Sequence, residues 1–149
     1  MQKFKQSLPE ITLKYKSGKI TRKKLLGSKD TYELLMEMYD SDTLEYIESF
    51  IVLYLNKANE TIGWQKVSYG GTSSTIADVK VIMSSALLSG AHAIILSHNH
   101  PSGNKKPSEA DCNLTKKIIK AGKLLDILVL DHLIITQNGY YSFGEEGEI

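Results

Sequence analysis

The feature that most constrains the fold is the apolar, aromatic run at 49–56, SFIVLYLN. Polar residues bound the run on both sides. A short continuous apolar stretch of this kind is typical of a strand buried in the interior of a domain. The chain must therefore build other elements around a buried strand that begins near residue 49.

Helical and strand patterns alternate on either side of this run. Residues 28–39 show helical spacing after Ser28 or Asp30 as N-cap, and Gly90 and the Asn138-Gly139 pair are typical of a helix end and a hairpin turn. The patterns predict helices over 28–39, 77–90 and 108–125, a helical turn over 41–48, and strands over 49–56, 61–69, 91–97, 127–136 and 140–143, with a further short strand from Ile11 to Tyr15. The order is α-β-β-α-β-α-β-β, which predicts a single α/β domain with a mixed sheet flanked by helices.

Charge is uneven along the chain although it nearly cancels overall, with 18 basic and 17 acidic residues. Residues 1–27 carry eight basic side chains and one acid, whereas 28–48 carry seven acids and one base. We interpret 1–27 as a basic N-terminal arm and 28–149 as the folded domain. The arm is either a solvated tail or a weak contact for nucleic acid.

The single cysteine, Cys112, excludes an internal disulfide and a cysteine-based zinc ribbon. The N-terminus has no apolar signal-peptide core, and no run approaches the 18 apolar residues of a membrane span. We therefore expect a cytoplasmic protein that does not act at a membrane.

The loop at 98–111, HNHPSGNKKPSEAD, concentrates chemistry directly after a predicted strand. His98 and His100 are two residues apart, so on an extended backbone both side chains lie on the same face. Asp111 falls in the first turn of the next helix and is the local candidate for a third ligand. Two histidines and a carboxylate leave one tetrahedral position for water, which is the pattern of a catalytic zinc.

Two other interpretations of the loop compete with a metal site. Residues 108–111, SEAD, also match a capping box, in which Ser108 caps the helix and the Asp111 side chain, at the third helical position, bonds back to the backbone N–H of Ser108. The letters HNH also name a nuclease class, but that signature is spread over a ββ-metal-helix module that the flanking residues do not build.

A zinc hydrolase also needs a general base near the attacking water. Glu45, Glu48 and Glu60 are upstream candidates, and periodicity does not choose among them. Glu48 stands at the start of the strand over 49–56, where a carboxylate could reach a neighbouring strand end.

The order His-x-His, Pro, then Ser-x-x-Asp resembles the signature of the JAMM (JAB1/MPN) metalloproteases. The wider context, AIILSHNHPSGNKKPSEAD followed by LLDILVLDHLIIT and YYSF, resembles the RadC-like branch of that family. The resemblance implies a JAB/MPN-like, cytidine-deaminase-like fold and a zinc ion held by His98, His100 and Asp111. It also implies Glu48 as general acid/base, Ser108 as a group that stabilises the oxyanion, and a peptide or isopeptide-linked protein as substrate.

A second hypothesis is a non-catalytic MPN-like interaction module associated with DNA repair or other nucleic-acid machinery. The remaining conspicuous residues are predicted to be structural. Asp131-His132 is interpreted as a satisfied buried pair, with a contact to a ligand of the metal site as the alternative. His92 is too far along its strand to be a ligand. Cys112 is expected to pack in the core, and Trp64 and Tyr69 are expected to pack on a sheet face, with a substrate groove as the alternative.

Overall fold

The computed structural model describes residues 8–12, 14–18, 21–70 and 77–149. Its helices are α1 (Ser28–Met38), α2 (Val79–Ser89) and α3 (Glu109–Leu124). Its strands are β1 (Ser49–Leu55), β2 (Thr61–Tyr69), β3 (Ala93–Asn99), β4 (Leu128–Thr136) and β5 (Gly139–Ser142). The predicted element order is confirmed.

The five strands form one mixed sheet in the order β2-β1-β3-β4-β5. Only the β3–β4 pair is parallel, because α3 carries the chain back across the sheet between them. β1 is antiparallel to both of its neighbours, β2 and β3. The interior position of β1 explains why its apolar run has no polar alternation.

The sheet separates two hydrophobic cores. Ile51, Leu53 and Leu55 of β1 point into the core on one face, where the helix α1 packs. Phe50, Val52 and Tyr54 point to the opposite face, which α2 and α3 cover. The molecule is therefore a three-layer α/β domain, as the sequence predicts.

β3 extends two residues further than the hydropathy pattern predicts. Ser97, His98 and Asn99 are polar, yet all three are buried and continue the ladder with β1 or β4. Their polar atoms have hydrogen-bond partners inside the protein, so burial carries no unpaired group. The predicted limits of 91–97 are therefore wrong, and His98 lies within the strand.

Other differences are local. Gly27, not Ser28 or Asp30, is the N-cap of α1, and Asp30 instead accepts a hydrogen bond from the Leu26 N–H. Residues 41–46 form consecutive turns rather than a helix. The predicted strand Ile11–Tyr15 includes a position outside the described residues, and its other four residues form no strand.

The predicted division between 27 and 28 stays a prediction. Residue Lys24 of the arm pairs with Glu60 in a β-bridge, and Leu25 is buried. No helix within the described ranges is long and apolar enough to cross a bilayer.

The topology brings distant residues to one edge of the sheet. Because β1 and β3 are antiparallel, the start of β1 lies beside the end of β3, with Phe50 opposite His98. α3 begins shortly after β3 ends, so its first turn lies over the same edge. The carboxyl end of a strand followed by a helix N-terminus is where α/β proteins commonly place their sites.

Candidate metal centre

Four side chains converge at this edge: Glu48, His98, His100 and Asp111 each offer one ligand atom, and these atoms lie within 4.8 Å of one another. The Nε2 atoms of His98 and His100 are 3.0 Å apart. Asp111 Oδ1 lies 3.2 Å from His98 Nε2, and Asp111 Oδ2 lies 3.3 Å from His100 Nε2. The structure thus brings together all the ligands that the sequence predicts.

The turn after β3 fixes the His100 ring. Gly103 adopts a left-handed conformation, with φ of +80°, and its N–H donates to the His100 carbonyl. The chain then returns so that the carbonyl of Asn104 lies 2.7 Å from His100 Nδ1. A carbonyl oxygen only accepts, so Nδ1 carries the hydrogen, and in the neutral ring Nε2 presents its lone pair to the cluster.

Asp111 shows that the capping and metal interpretations are compatible. Ser108 Oγ accepts from the Asp111 N–H at 3.1 Å, and the Ser108 N–H donates to Asp111 Oδ2 at 2.7 Å, which completes the capping box. The same carboxylate faces both histidines. Burial raises the pKa of Asp111, but the closeness of the His100 and His98 rings outweighs it and holds that pKa well below its usual range.

Glu48 is buried near the two histidines but makes no direct contact with their ring nitrogens. Its carboxylate oxygens lie more than 4.0 Å from the ring nitrogens of His98 and His100. One of these oxygens nevertheless lies within 4.8 Å of the ligand atoms of His98, His100 and Asp111. Burial raises the pKa of Glu48, against the lowering effect of the two histidines. The other candidates lie elsewhere: Glu45 is exposed, and Glu60 bonds Asn56 at the far end of β1.

Asn99 holds the segment that carries Glu48. Its amide nitrogen donates to the carbonyls of Leu44 and Ile47, at 2.7 and 2.9 Å. Its Oδ1 accepts from the Ser49 N–H at 2.8 Å. This role of Asn99 is not among the sequence predictions, although its place between two histidines at opposite strand parity is the signal that could have found it.

Asp131 and His132 are both buried and hydrogen-bonded, and Asp131 accepts from the His132 backbone N–H at 2.7 Å, but the two side chains have different partners. Asp131 accepts from Ser142 Oγ and the Gly144 N–H, and so fastens the C-terminal segment. The His132 ring instead contacts His98, with 2.8 Å between His132 Nε2 and His98 Nδ1. Burial lowers the pKa of His132 well below its ordinary value.

The other conspicuous residues lie outside the cluster. His92 precedes β3 and stands at the opposite end of that strand from His98. Cys112 is half-buried on α3. Trp64 and Tyr69 do not pack as expected, because more than half of each side chain is exposed on β2.

The donor set fits a zinc ion. Tetrahedral zinc with bonds of about 2.0–2.1 Å separates its nitrogen and oxygen ligands by about 3.3 Å. The separations of 3.0–3.3 Å among the three ligands are close to that value. Imidazole and carboxylate are also the ligand types of catalytic zinc sites.

Fold and site together define the class of protein. It is an α/β domain with a cluster of two histidines and an aspartate that could hold a metal ion, and a buried glutamate lies next to that cluster. The chain belongs to the RadC-like JAB domain family, whose model matches residues 25–148. This bears out the resemblance seen in the loop motif.

Two relatives of the chain, from different microorganisms, carry the same name. It is 46% identical over 125 residues to a UPF0758 protein of Flavobacterium johnsoniae, covering 84% of this chain and 53% of that protein. It is 36% identical over 142 residues to a UPF0758 protein of Aquifex aeolicus, covering 95% and 59%. The chain thus spans about half the length of these relatives.

Proposed function

We propose that this domain is a zinc-dependent hydrolase of the JAMM type that cleaves peptide or isopeptide bonds. The observation that carries the proposal is the convergence of Glu48, His98, His100 and Asp111 within 4.8 Å at one sheet edge. Membership of the RadC-like JAB family supports the same class.

His98, His100 and Asp111 would hold the ion, and the three ligands come from one strand end and one helix start. Zinc bound in this way supplies Lewis-acid chemistry, acidifying a water molecule and polarising the carbonyl group of the substrate. The pKa of Asp111 is held low before any ion binds, so its carboxylate is ionised and would balance part of the positive charge of the ion.

Glu48 is suited to act as general base and then general acid. Its separation of 4.0–4.8 Å from the histidine nitrogens is about the span of two hydrogen bonds through one water. Its raised pKa makes the carboxylate a better proton acceptor. Glu48 would take a proton from the attacking water and deliver it to the leaving amine nitrogen.

Ser108 would stabilise the oxyanion that develops on the substrate carbonyl. Its Oγ already accepts from the Asp111 N–H, so its hydroxyl hydrogen remains a donor. The side chain is exposed at the N-cap of α3, close to Asp111, a ligand of the proposed ion. A donor at such a position stabilises charge that develops on a carbonyl oxygen.

The substrate would be an amide-linked polypeptide, because base, metal and oxyanion donor together serve attack on a carbonyl followed by expulsion of an amine. A cytoplasmic location fits an enzyme whose single cysteine is unpaired.

A direct test compares Glu48→Gln with Glu45→Gln, the same change three residues earlier at an exposed position. Zinc content is measured by elemental analysis. Cleavage is measured on proteome-derived peptides and isopeptide-linked lysine peptides by mass spectrometry of new termini. We expect stoichiometric zinc in the wild type and both variants, and a loss of cleavage of at least about 100-fold in Glu48→Gln alone.

Three results would overturn parts of the proposal. Absence of stoichiometric metal in the wild type removes the zinc site. Loss of zinc in Glu48→Gln makes this residue a ligand rather than the base. Bound zinc without cleavage of either substrate type removes the peptidase assignment and favours the interaction module, which predicts salt-sensitive DNA binding that disappears when residues 1–27 are removed.

A further inference from the structure

His132 is a buried histidine that the proposed hydrolysis does not use. Its ring is stacked on Phe143, with 4.9 Å between centroids and 11° between planes, and is tilted against Phe50 at 5.5 Å. Its Nε2 lies 2.8 Å from His98 Nδ1, and its Nδ1 lies 2.6 Å from Thr115 Oγ1. Both ring nitrogens therefore have one partner each, and the aromatic neighbours fix the ring plane.

The hydroxyl of Thr115 decides which His132 nitrogen carries hydrogen. Thr115 has one hydroxyl hydrogen, and Oγ1 lies 2.7 Å from the Asp111 carbonyl, which can only accept. The hydrogen is thus donated to Asp111, and Oγ1 must accept from His132. His132 Nδ1 is therefore the protonated nitrogen.

The same reasoning about hydrogen-bond donors and acceptors assigns the tautomer of His98. The His132 ring is wholly buried, and no carboxylate of the described residues lies within hydrogen-bond distance of it, so a charged ring would be an uncompensated buried cation. In the neutral ring, Nε2 is bare and must accept from the Nδ1–H of His98. The neutral His98 ring then has a bare Nε2, the atom that faces His100 and Asp111.

We propose that His132 and Thr115 are positioning residues of the metal centre, because their hydrogen bonds hold His98 in the one tautomer whose Nε2 lone pair can bind zinc. This inference rests on the zinc site of the proposed function but not on its hydrolytic activity. The relay starts at one ligand and ends at the backbone of another, since Thr115 donates to Asp111. It thus links β3 to α3 through β4.

Thr115→Val and Thr115→Ser form a matched pair that separates the hydroxyl from the packing. Valine keeps the shape but leaves His132 Nδ1–H without an acceptor, so the hydrogen can move to Nε2 and force His98 to carry its own on Nε2. Serine keeps the acceptor. We expect Thr115→Val to weaken zinc binding about 10-fold, and Thr115→Ser to stay within about two-fold of the wild type.

Zinc affinity is measured by competition with a chromophoric chelator, and thermal unfolding confirms that each variant is folded. Equal affinity in the wild type and Thr115→Val would overturn the proposal. Equal weakening in both variants would also overturn it, because the loss would then come from the methyl group rather than from the hydrogen bond.

The tautomer itself can be observed by nitrogen-15 NMR of the histidine rings. We expect His132 and zinc-loaded His98 to be protonated at Nδ1, and His132 to lose this single state in Thr115→Val. Protonation of His132 at Nε2 in the wild type would overturn the inference. If the wild type binds no zinc, the proposed function fails, while the His132 spectrum of the metal-free protein still decides the relay.

Discussion

His98 and Asn99 are neighbours in β3 and both are fully buried, yet the two residues are held in different ways. His98 contacts side chains from distant elements, with His132 on β4 and, through it, Thr115 on α3. Asn99 points to the opposite face and bonds backbone atoms of one nearby segment, at Leu44, Ile47 and Ser49.

The two halves of the site, the metal ligands and the segment that carries Glu48, therefore depend on different kinds of partner. The metal side needs particular side chains at 115 and 132, because only a ring and a hydroxyl can relay the hydrogen that sets the tautomer. The Glu48 side needs one asparagine, because backbone carbonyls and N–H groups are present whatever residues occupy 44–49. Damage on the two sides should therefore have different consequences.

The largest effect is expected on the metal side, from Asp111→Asn. The amide keeps an oxygen that can accept from the Ser108 N–H, so the cap survives while the charge is lost. Changes outside the ligand set cost about 10–100-fold in metal affinity, so loss of a ligand charge should cost more than about 100-fold. Zinc competition titration measures it, with Glu109→Gln in the same helical turn as control.

A near-native zinc affinity in Asp111→Asn would show that this carboxylate is only a cap. The control Glu109→Gln is exposed and should bind zinc as the wild type does.

The next effect is expected on the glutamate side, from Asn99→Asp. The change replaces two donated hydrogens by a carboxylate oxygen that faces the carbonyls of Leu44 and Ile47. We expect a loss of about 2–3 kcal/mol in the free energy of unfolding. Hydrolysis should fall through displacement of Glu48, while the folded protein retains its zinc.

Denaturant unfolding measures this loss, and Asn113→Asp provides the same change at an exposed position of α3, where about 0.5 kcal/mol or less is expected. If Asn99→Asp loses zinc while it remains folded, the two halves of the site are not separately supported and the comparison fails.

The smallest effect is expected from Tyr39→Phe, on the same face as Asn99. The Tyr39 hydroxyl bonds Ser97 Oγ at 3.1 Å, and Ser97 still donates to the Ile51 carbonyl without it. We expect about 1 kcal/mol of lost stability and unchanged zinc affinity. Tyr46→Phe, at an exposed side chain, is the control; a change in zinc affinity in Tyr39→Phe alone would contradict the separation.

Much of the fold could be predicted because hydrophobic periodicity and the residues that cap helices or form turns are local properties of the sequence. The apolar run in β1, the Gly90 stop and the Ser108 cap each have a signal within a few residues, and the structure confirms them. The end of β3 could not be predicted in the same way. Its last three residues are polar, and only partners far along the chain make their burial tolerable.

The site divides along the same line. The spacing of His98, His100 and Asp111 is a local pattern, because strand parity and a helix start set it. Glu48 could not be chosen over Glu45 and Glu60 by periodicity, since the choice depends on the antiparallel register that sets Phe50 opposite His98. Asn99 and His132 stand out locally as polar residues in apolar strands, but their roles depend on partners far along the chain. Thr115 has no local signal.

Local sequence patterns are enough to specify the α/β architecture, the motif that marks the family and the three residues most suited to hold a metal. Hydrophobic period, turn chemistry and residue spacing specify these over short stretches of chain. The identity of the carboxylate beside the histidines and the tautomer of His98 follow from the folded arrangement alone. The choice of the carboxylate depends on strand register. The tautomer depends on which side chains from three separate elements donate or accept hydrogen bonds, because each donor can be assigned only when its acceptor is in place.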